Sequence, residues 1–396
     1  MKTLYLFTYH FPFSTPENFL EDEILYLSRR FDRVVILPFN KGEGKMRAVP
    51  SNCEVHNIPS VTNKIQNGIC GIFHYKTIGV LTKEFFRNKV FKSWKRFRSW
   101  VAYGRCLNNY LYNKKLQNIL SAIRKDDVCY FYWGTGQCML SIFLKGKAHL
   151  VSRFHGYWDL WEESYGGFQP LRTDVAHCLD KAVFISRSGE EFFKKKYPYC
   201  KTEVYPLGSV DYGRCQPKPE DDVIRIVSCS TVYPLKRVPL LYKSLLVLKD
   251  RNIEWTHIGA GSHFEELKKT IADTKHDHIN IILTGSMTHD EVMKYYKNHH
   301  FDVFVNLSTS EGVPVSIMEA MSFNIPVVAT NVGSTSEEVV PESGELLPAN
   351  PTEEEVAKAI LKVVESASFK PREFWKDHYN AEVNYSKFSD MLYNLE

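Results

Sequence analysis

The sequence predicts an α/β chain of two domains, each built on a mostly parallel sheet. Three observations predict it. Short apolar runs alternate with segments of helical period, and that alternation starts twice. Between the two series lies Gln216 to Asp222, a Pro-rich and acidic stretch that reads as a linker. A length of 396 residues also exceeds what one ordinary core occupies.

In order along the chain, Leu4 to Thr8 is a strand, followed by a loop through Pro12 and Pro16 and a helix near Phe19 to Phe31. Val34 to Leu37, Val128 to Tyr132, Leu150 to Phe154 and Ala182 to Ile185 continue the first series as strands. The second series has strands at Ile224 to Ser228, Trp255 to Ile258, Ile279 to Leu283, Val303 to Asn306 and Val327 to Ala329. An aromatic-rich helical segment, Arg372 to Leu395, closes the chain. Two Rossmann-like halves of this kind bind ligands at the carboxyl ends of their strands, in the crevice between them.

Composition excludes several classes. Hydrophobic residues at 44% and charged residues at 24% describe a soluble globular protein, not a disordered one. The first residues lack a charged n-region and a small-residue cleavage site, so they read as a core strand rather than a signal peptide. The longest apolar runs, such as Cys138 to Leu144, are too short for a membrane span. Nine cysteines without a C-x-x-C pair argue against a disulfide framework and a structural zinc site, and point to the cytoplasm.

Charge divides the chain. Residues 1–208 carry 31 Lys/Arg against 18 Asp/Glu; residues 209–396 carry 19 against 28. The basic excess concentrates between Lys76 and Lys115, where eleven basic residues meet only Glu84. There Phe86, Val90, Trp94, Phe97 and Val101 recur at helical spacing among Arg87, Lys92, Lys95, Arg96 and Arg98. An interfacial helix over 83–100 on an anionic membrane surface has this pattern, and so does a core-packed helix with a solvated basic side. Nucleic acid is not expected, because no binding motif accompanies the basic cluster.

The most informative stretch runs from Ser308 to Met321. A strand ends near Leu307, a turn holds Glu311 and Gly312, and a helix starts about Pro314, where a missing N–H costs nothing. Free amides around Gly312 to Ser316 and the helix dipole suit a diphosphate or sugar hydroxyls. Glu311 and Glu319 can both look into one pocket, and a carboxylate accepts from vicinal hydroxyls. Lys236, just past a strand end, suits a phosphate. His155, at a strand end before Gly156, can donate or switch near neutral pH. In the loop after the first strand, the polar residues among Tyr9 to Phe19 suit an acceptor: His10, Glu17 and Asn18.

The span Ser308 to Gly333 resembles the signature of the retaining GT-B glycosyltransferases called group 1, or family 4. Val204 to Asp211, Pro234 to Arg237, Ile258 to Gly261, Leu283 to Gly285 and Ser152 to Tyr157 are similar to other segments of that family, in its order. The resemblance is strong from about 204 to 345 and looser before 128. It implies a GT-B fold with an acceptor domain over 1–208, a donor domain over 209–375, and a last helix, 376–396, returning to the first domain. It implies Glu319 on the ribose, Glu311 and His155 on the donor sugar, and Lys236 on the diphosphate. Gly312, Val313, Pro314, Val315, Thr231, Arg237 and Thr284 complete the donor set. The implied reaction is metal-free and cofactor-free transfer with retention, in bacterial surface-polysaccharide assembly. The donor is a nucleotide-diphosphate sugar, with UDP favoured on family frequency; the acceptor is a glycan or lipid-linked hydroxyl.

The sequence departs from that family at Thr231, where an arginine usually stands, and Arg237 is the nearest replacement. The glycine-rich loop common after the first strand is also missing. A nucleotide-sugar epimerase, or a non-catalytic nucleotide-sugar-binding protein, is compatible with the same residues. A dinucleotide dehydrogenase is not favoured, since no G-x-G-x-x-G follows the first strand.

Overall fold

In the computed structural model, residues 1–13, 17, 19–40, 45–58, 74–156, 159–160, 167–275 and 277–395 are described. The chain divides into two compact units, Met1–Pro206 with Tyr385–Glu396, and Leu207–Asn384.

The first unit holds seven parallel strands in the order β3-β2-β1-β4-β5-β6-β7. They are β1 (Thr3–Thr8), β2 (Arg33–Pro38), β3 (Cys53–Val55), β4 (Val128–Phe131), β5 (His149–Phe154), β6 (Lys181–Phe184) and β7 (Thr202–Val204). Every residue of β1 is buried, as expected of a parallel strand covered on both faces. Tyr5 and Phe7 enter one core cluster, Leu4 and Leu6 the other, following the two-residue alternation of a strand.

The last helix, Ala381–Tyr393, supplies Phe388 and Leu392 to the second of these clusters. Phe388 meets Tyr130 edge-on at 5.2 Å and lies 3.9 Å from the Arg153 guanidinium. Arg153 is paired with Glu23, both fully buried, and the Tyr130 hydroxyl donates to Glu23 at 3.0 Å. Such a pair adds little net stability, but breaking it leaves an uncompensated charge. Truncating Phe388 to Ala removes both aromatic contacts, at a cost of about 3–5 kcal/mol.

The second unit repeats the plan with six parallel strands ordered β10-β9-β8-β11-β12-β13. These are β8 (Val223–Cys229), β9 (Asn252–Ile258), β10 (Ile279–Gly285), β11 (Val303–Asn306), β12 (Val327–Thr330) and β13 (Gly344–Leu347). In both units the strand order reverses beside the first strand, which places ligand sites at the carboxyl ends there.

Three sequence expectations need correction. Gln216 to Asp222 belongs to the second unit: Gln216 donates to the carbonyls of His299 and Lys297 at 3.1 and 2.8 Å, and Lys218 pairs with Asp302 at 2.9 Å. The stretch is a strap along that unit, and the chain passes between units at 206/207 and 384/385 instead. The basic segment is not one helix over 83–100. Helix α1 (Tyr75–Arg87) and helix α2 (Trp94–Tyr112) meet at an elbow, where Lys89 is left-handed (φ 48°) and Val90–Lys92 form a 3-10 turn. The edge strands β3, β7 and β13, of three, three and four residues, were not anticipated.

Candidate active site

In the second unit the chemistry collects where β8, β11 and β12 end. After β11 the chain turns through Leu307 to Val313 into helix α3 (Val315–Ser322). Val313 and Pro314 bury their side chains, so this turn has backbone left to offer a ligand, and the first-turn amides of a helix have no acceptor within it. Glycine is required opposite: a Cβ on Gly333 (φ 57°) would lie 1.8 Å from the Glu311 carbonyl oxygen. The Ser334 N–H donates to the Gly312 carbonyl at 3.1 Å, so the loops after β11 and β12 are laid together.

Glu311 and Lys236 meet directly. The ammonium, carried on the turn Pro234–Lys236 after β8, donates to Glu311 Oε1 at 2.5 Å. The same oxygen accepts from Ser308 Oγ at 2.5 Å and Asn306 Nδ2 at 3.3 Å. The Thr309 N–H donates to the Leu235 carbonyl at 2.8 Å, tying the two turns together. Glu319, nearly buried within α3, has a different partner, His289 Nε2 at 2.9 Å. The two carboxylates therefore have separate partners, one a lysine and the other an imidazole at the start of helix His289–Asn298. Sequence reasoning missed His289, because its only signal is position after a strand end.

Arg237 does not replace the missing arginine. Left-handed at φ 47°, it donates from Nε to the Leu307 carbonyl (2.5 Å) and from the other nitrogens to the carbonyls of Ser308 (2.9 Å) and Ala349 (2.8 Å) and to Asn350 Oδ1 (3.2 Å). It is a latch between the loops after β11 and β13, and its fork is occupied. Thr231 is exposed. Thr284 donates at 3.3 Å to the His257 carbonyl or at 3.0 Å to its neighbour Gly285, leaving the hydroxyl little to offer a base.

Glu338 is a second residue that sequence reasoning missed. It is fully buried, and neither carboxylate oxygen has a hydrogen-bond partner among the described residues. Burial, and then the charges of Glu311 and Glu337, push its carboxyl well above the ordinary range. Behind the Glu311 loop, burial thus favours its neutral form.

In the first unit His155 stands at the end of β5, 4.5 Å from the Trp133 ring and 4.6 Å from that of Tyr132. Burial, and then the Arg153 guanidinium, push its imidazole down to about 3. His155 is therefore neutral, with Nε2–H donating to the Tyr132 carbonyl at 2.9 Å, which makes Nδ1 an acceptor. The expected switch near neutral pH is absent, because a charged ring here is disfavoured by desolvation and by a neighbouring cation. Asp159 holds this corner, accepting N–H groups of Gly134 (3.0 Å), His155 (3.0 Å) and Gly156 (2.9 Å).

Of the acceptor-side residues, Asn18 lies outside the described residues. Glu17 does not offer its carboxylate to a ligand. Its Oε1 accepts from the Tyr9 N–H (3.0 Å) and the Trp133 indole (2.5 Å), its Oε2 from the N–H groups of His10 (2.6 Å) and Phe11 (2.5 Å). It is 1% exposed and pins the loop after β1 against Trp133. His10 keeps an opening: its Nδ1 is buried with no partner among the described residues. Both residues border a cavity of about 630 Å³.

Residues 214–378 match the family of glycosyl transferases group 1. That group 1 region covers most of the second unit and includes Lys236, Glu311 and Glu319. Among curated proteins, the O-antigen biosynthesis glycosyltransferase WbnH of Escherichia coli is 33% identical over 106 residues, 27% of this chain and 28% of its own length. The amylovoran biosynthesis glycosyltransferase AmsK of Erwinia amylovora is 28% identical over 113 residues, 27% and 28% of the two chains. The chain thus matches these relatives over little more than a quarter of their length.

Solved structures extend the likeness to the whole chain. The apo lipopolysaccharide outer core galactosyltransferase WaaB superposes with a TM-score of 0.69 at 15% identity, covering 99% of each chain. Anabaena HepE in complex with UDP gives 0.69 at 15%, covering all of both. The chain has the GT-B fold.

Proposed function

We propose that this protein is a retaining glycosyltransferase that moves a sugar from a nucleotide-diphosphate sugar to a hydroxyl of a glycan or lipid-linked acceptor in surface-polysaccharide assembly. The Lys236–Glu311 pair carries the reading. A lysine and a carboxylate in contact at adjacent strand ends hold each other's charge until a donor supplies a diphosphate for the one and hydroxyls for the other. Lys236 and the amides of Gly312 to Ser316 then stabilise the leaving diphosphate. Glu319 accepts from the ribose hydroxyls, with His289 fixing its rotamer. His155, as a neutral acceptor at Nδ1, addresses a donor-sugar hydroxyl rather than moving a proton.

UDP is favoured because the neighbouring fold of HepE is described in complex with UDP and with UDP-glucose. No divalent metal takes part in this reading: leaving-group charge falls to Lys236 and backbone. Nucleotide release across UDP-, GDP- and ADP-sugars with lipid-linked acceptors tests the activity, with the anomeric proton of the product reporting retention and excess chelator reporting metal use. Donor conversion without acceptor would make the protein an epimerase. Intact donor under every condition would make it a sensor, which the single phosphate cation Lys236 would then explain.

The anionic membrane surface enters at the elbow rather than along one helix. Phe86, Phe91 and Trp94 are exposed by 65, 58 and 72%, beside the exposed Lys89, Lys92, Lys95 and Arg98. Arg87 is turned inward onto Asp174 at 3.1 Å, and Arg96 onto the Asn88 carbonyl at 2.9 Å. Four exposed cations at roughly 1 kcal/mol each give reversible recruitment to anionic lipid. Among the described residues no helix is long and apolar enough to cross a membrane. Sedimentation with anionic vesicles at low salt, lost at high salt or after Phe91→Ser with Trp94→Ser, is the expected result.

A further inference from the structure

The cavity of the first unit has a chemistry that its place in the fold does not dictate. Tyr9, Tyr103 and Trp133 give it aromatic walls, and Ala102, Cys106 and Met139 add apolar surface. Among the described residues no lysine or arginine lines it. The one acid among the described lining residues, Glu17, spends both oxygens on the loop N–H groups and the Trp133 indole. Two hydroxyls of the wall are partnered: Thr135 Oγ1 lies 2.5 Å from the Tyr103 hydroxyl, and Gln169 Nε2 donates to both oxygens at 2.8 and 2.5 Å. His10 Nδ1, on the same wall, is buried and without a partner among the described residues.

From these observations we infer that the cavity takes an uncharged sugar ring, stacked by its C–H face on Trp133 and hydrogen-bonded at His10 Nδ1, and that it rejects sugars bearing a carboxylate or phosphate. The argument is one of compensation. An anion entering this space sheds its hydration shell and meets no cation among the described lining residues, while the Glu17 carboxylate disfavours it. A neutral pyranose loses less on desolvation and presents an apolar face to the aromatic walls. Trp133 suits the task because its ring is held by Glu17 at one edge and by His155 beside it, so little conformational freedom is lost on contact.

The position of the cations fits the same division. Along α2, Tyr103 is nine residues from Trp94 at the basic elbow, about 14 Å of helix. A lipid-linked acceptor would leave its phosphate near the elbow and bring its terminal sugar to the cavity. The inference rests on the reading of this chain as a sugar transferase, and specifies that the acceptor's terminal sugar is uncharged.

The test is saturation-transfer NMR on the full chain with methyl glucoside, methyl galactoside and methyl N-acetylglucosaminide, against methyl glucuronide and methyl galacturonide. UDP is titrated in parallel. At least one neutral glycoside should saturate, with both uronides weaker by about tenfold or more. Trp133→Ala should abolish the neutral signal and Trp133→Phe should retain most of it, with UDP affinity unchanged in both. Ala102→Arg, which sets a cation at the rim, should raise uronide binding. Equal binding of neutral and anionic glycosides, no saturation by any of them while UDP binds, or indifference to Trp133→Ala would overturn the inference alone. Failure of UDP to bind as well would count against the transferase reading itself.

Discussion

In the second unit, strands β8, β11 and β12 end in short turns, Gly259 and Gly333 let backbone touch backbone at Ser230 and Glu311, and the charged residues there pair locally: Lys236 with Glu311, Glu319 with His289. In the first unit, the same strand order carries a cavity with aromatic walls and no cation among the described lining residues, and Glu17 and Asp159 face inward onto N–H groups. One unit is arranged for a ligand with phosphates and vicinal hydroxyls, the other for a ligand with little charge. Equal topology with unequal lining shows that the fold supplies the strand ends and the loops supply the chemistry.

The sharpest way to break this contrast is to remove the cation. Lys236→Ala should lower turnover roughly 10²–10³-fold, the range for losing a preorganised group at a developing charge. A Lys236→Ala enzyme that turns over at the parental rate in a coupled nucleotide-release assay would move the diphosphate elsewhere.

Next comes Glu319. Its replacement by Ala should weaken nucleoside diphosphate binding by about 10- to 150-fold, the loss of about 1.5–3 kcal/mol from a charged acceptor. Calorimetry that finds no change would remove Glu319 from the ribose.

Smaller effects sharpen the role of His155. His155→Ala should reduce turnover more than UDP affinity. Because its imidazole is held down to about 3, it stays neutral from pH 5 upward and should add no inflection near its ordinary value of 6.5. An imidazole proton titrating near 6 or 7 by NMR, present in the parent and absent from His155→Ala, would restore it as a switch.

The smallest effect concerns Glu338. Burial raises its carboxyl, so the folded chain keeps a proton that the unfolded chain releases near 4.5. Stability should therefore fall as pH rises from about 4.5 toward the folded value. Glu338→Gln removes that dependence and should raise the melting temperature by a few degrees at pH 8, with no gain at pH 4. A loss of stability at both pH values would mean the carboxylate is ionised and partnered.

How much of this was legible in the sequence follows from where each contact lies. The loops after β11 and β12 are adjacent in sequence as in space, so Glu311, Gly312, Glu319 and Gly333 form one readable pattern. The first-unit cavity draws on residues 9, 40, 103, 133 and 139, far apart along the chain. Glu17 looked like an acceptor ligand because its indole partner is 116 residues away. Arg237 looked available because nothing local shows a left-handed backbone or the carbonyls after β11 and β13. The apolar period through Phe86, Val90 and Trp94 runs across the elbow in the sequence, and nothing in that spacing shows that Lys89 is left-handed or that Val90 is buried.

The division of labour between the units is tested most directly by titrating UDP into four proteins under one buffer: the parent, Lys236→Ala, Glu319→Ala and Trp133→Ala. The account predicts affinity reduced by at least about tenfold in the two second-unit variants and parental affinity in Trp133→Ala. Parental affinity in the second-unit variants, or a comparable loss in Trp133→Ala, would contradict it.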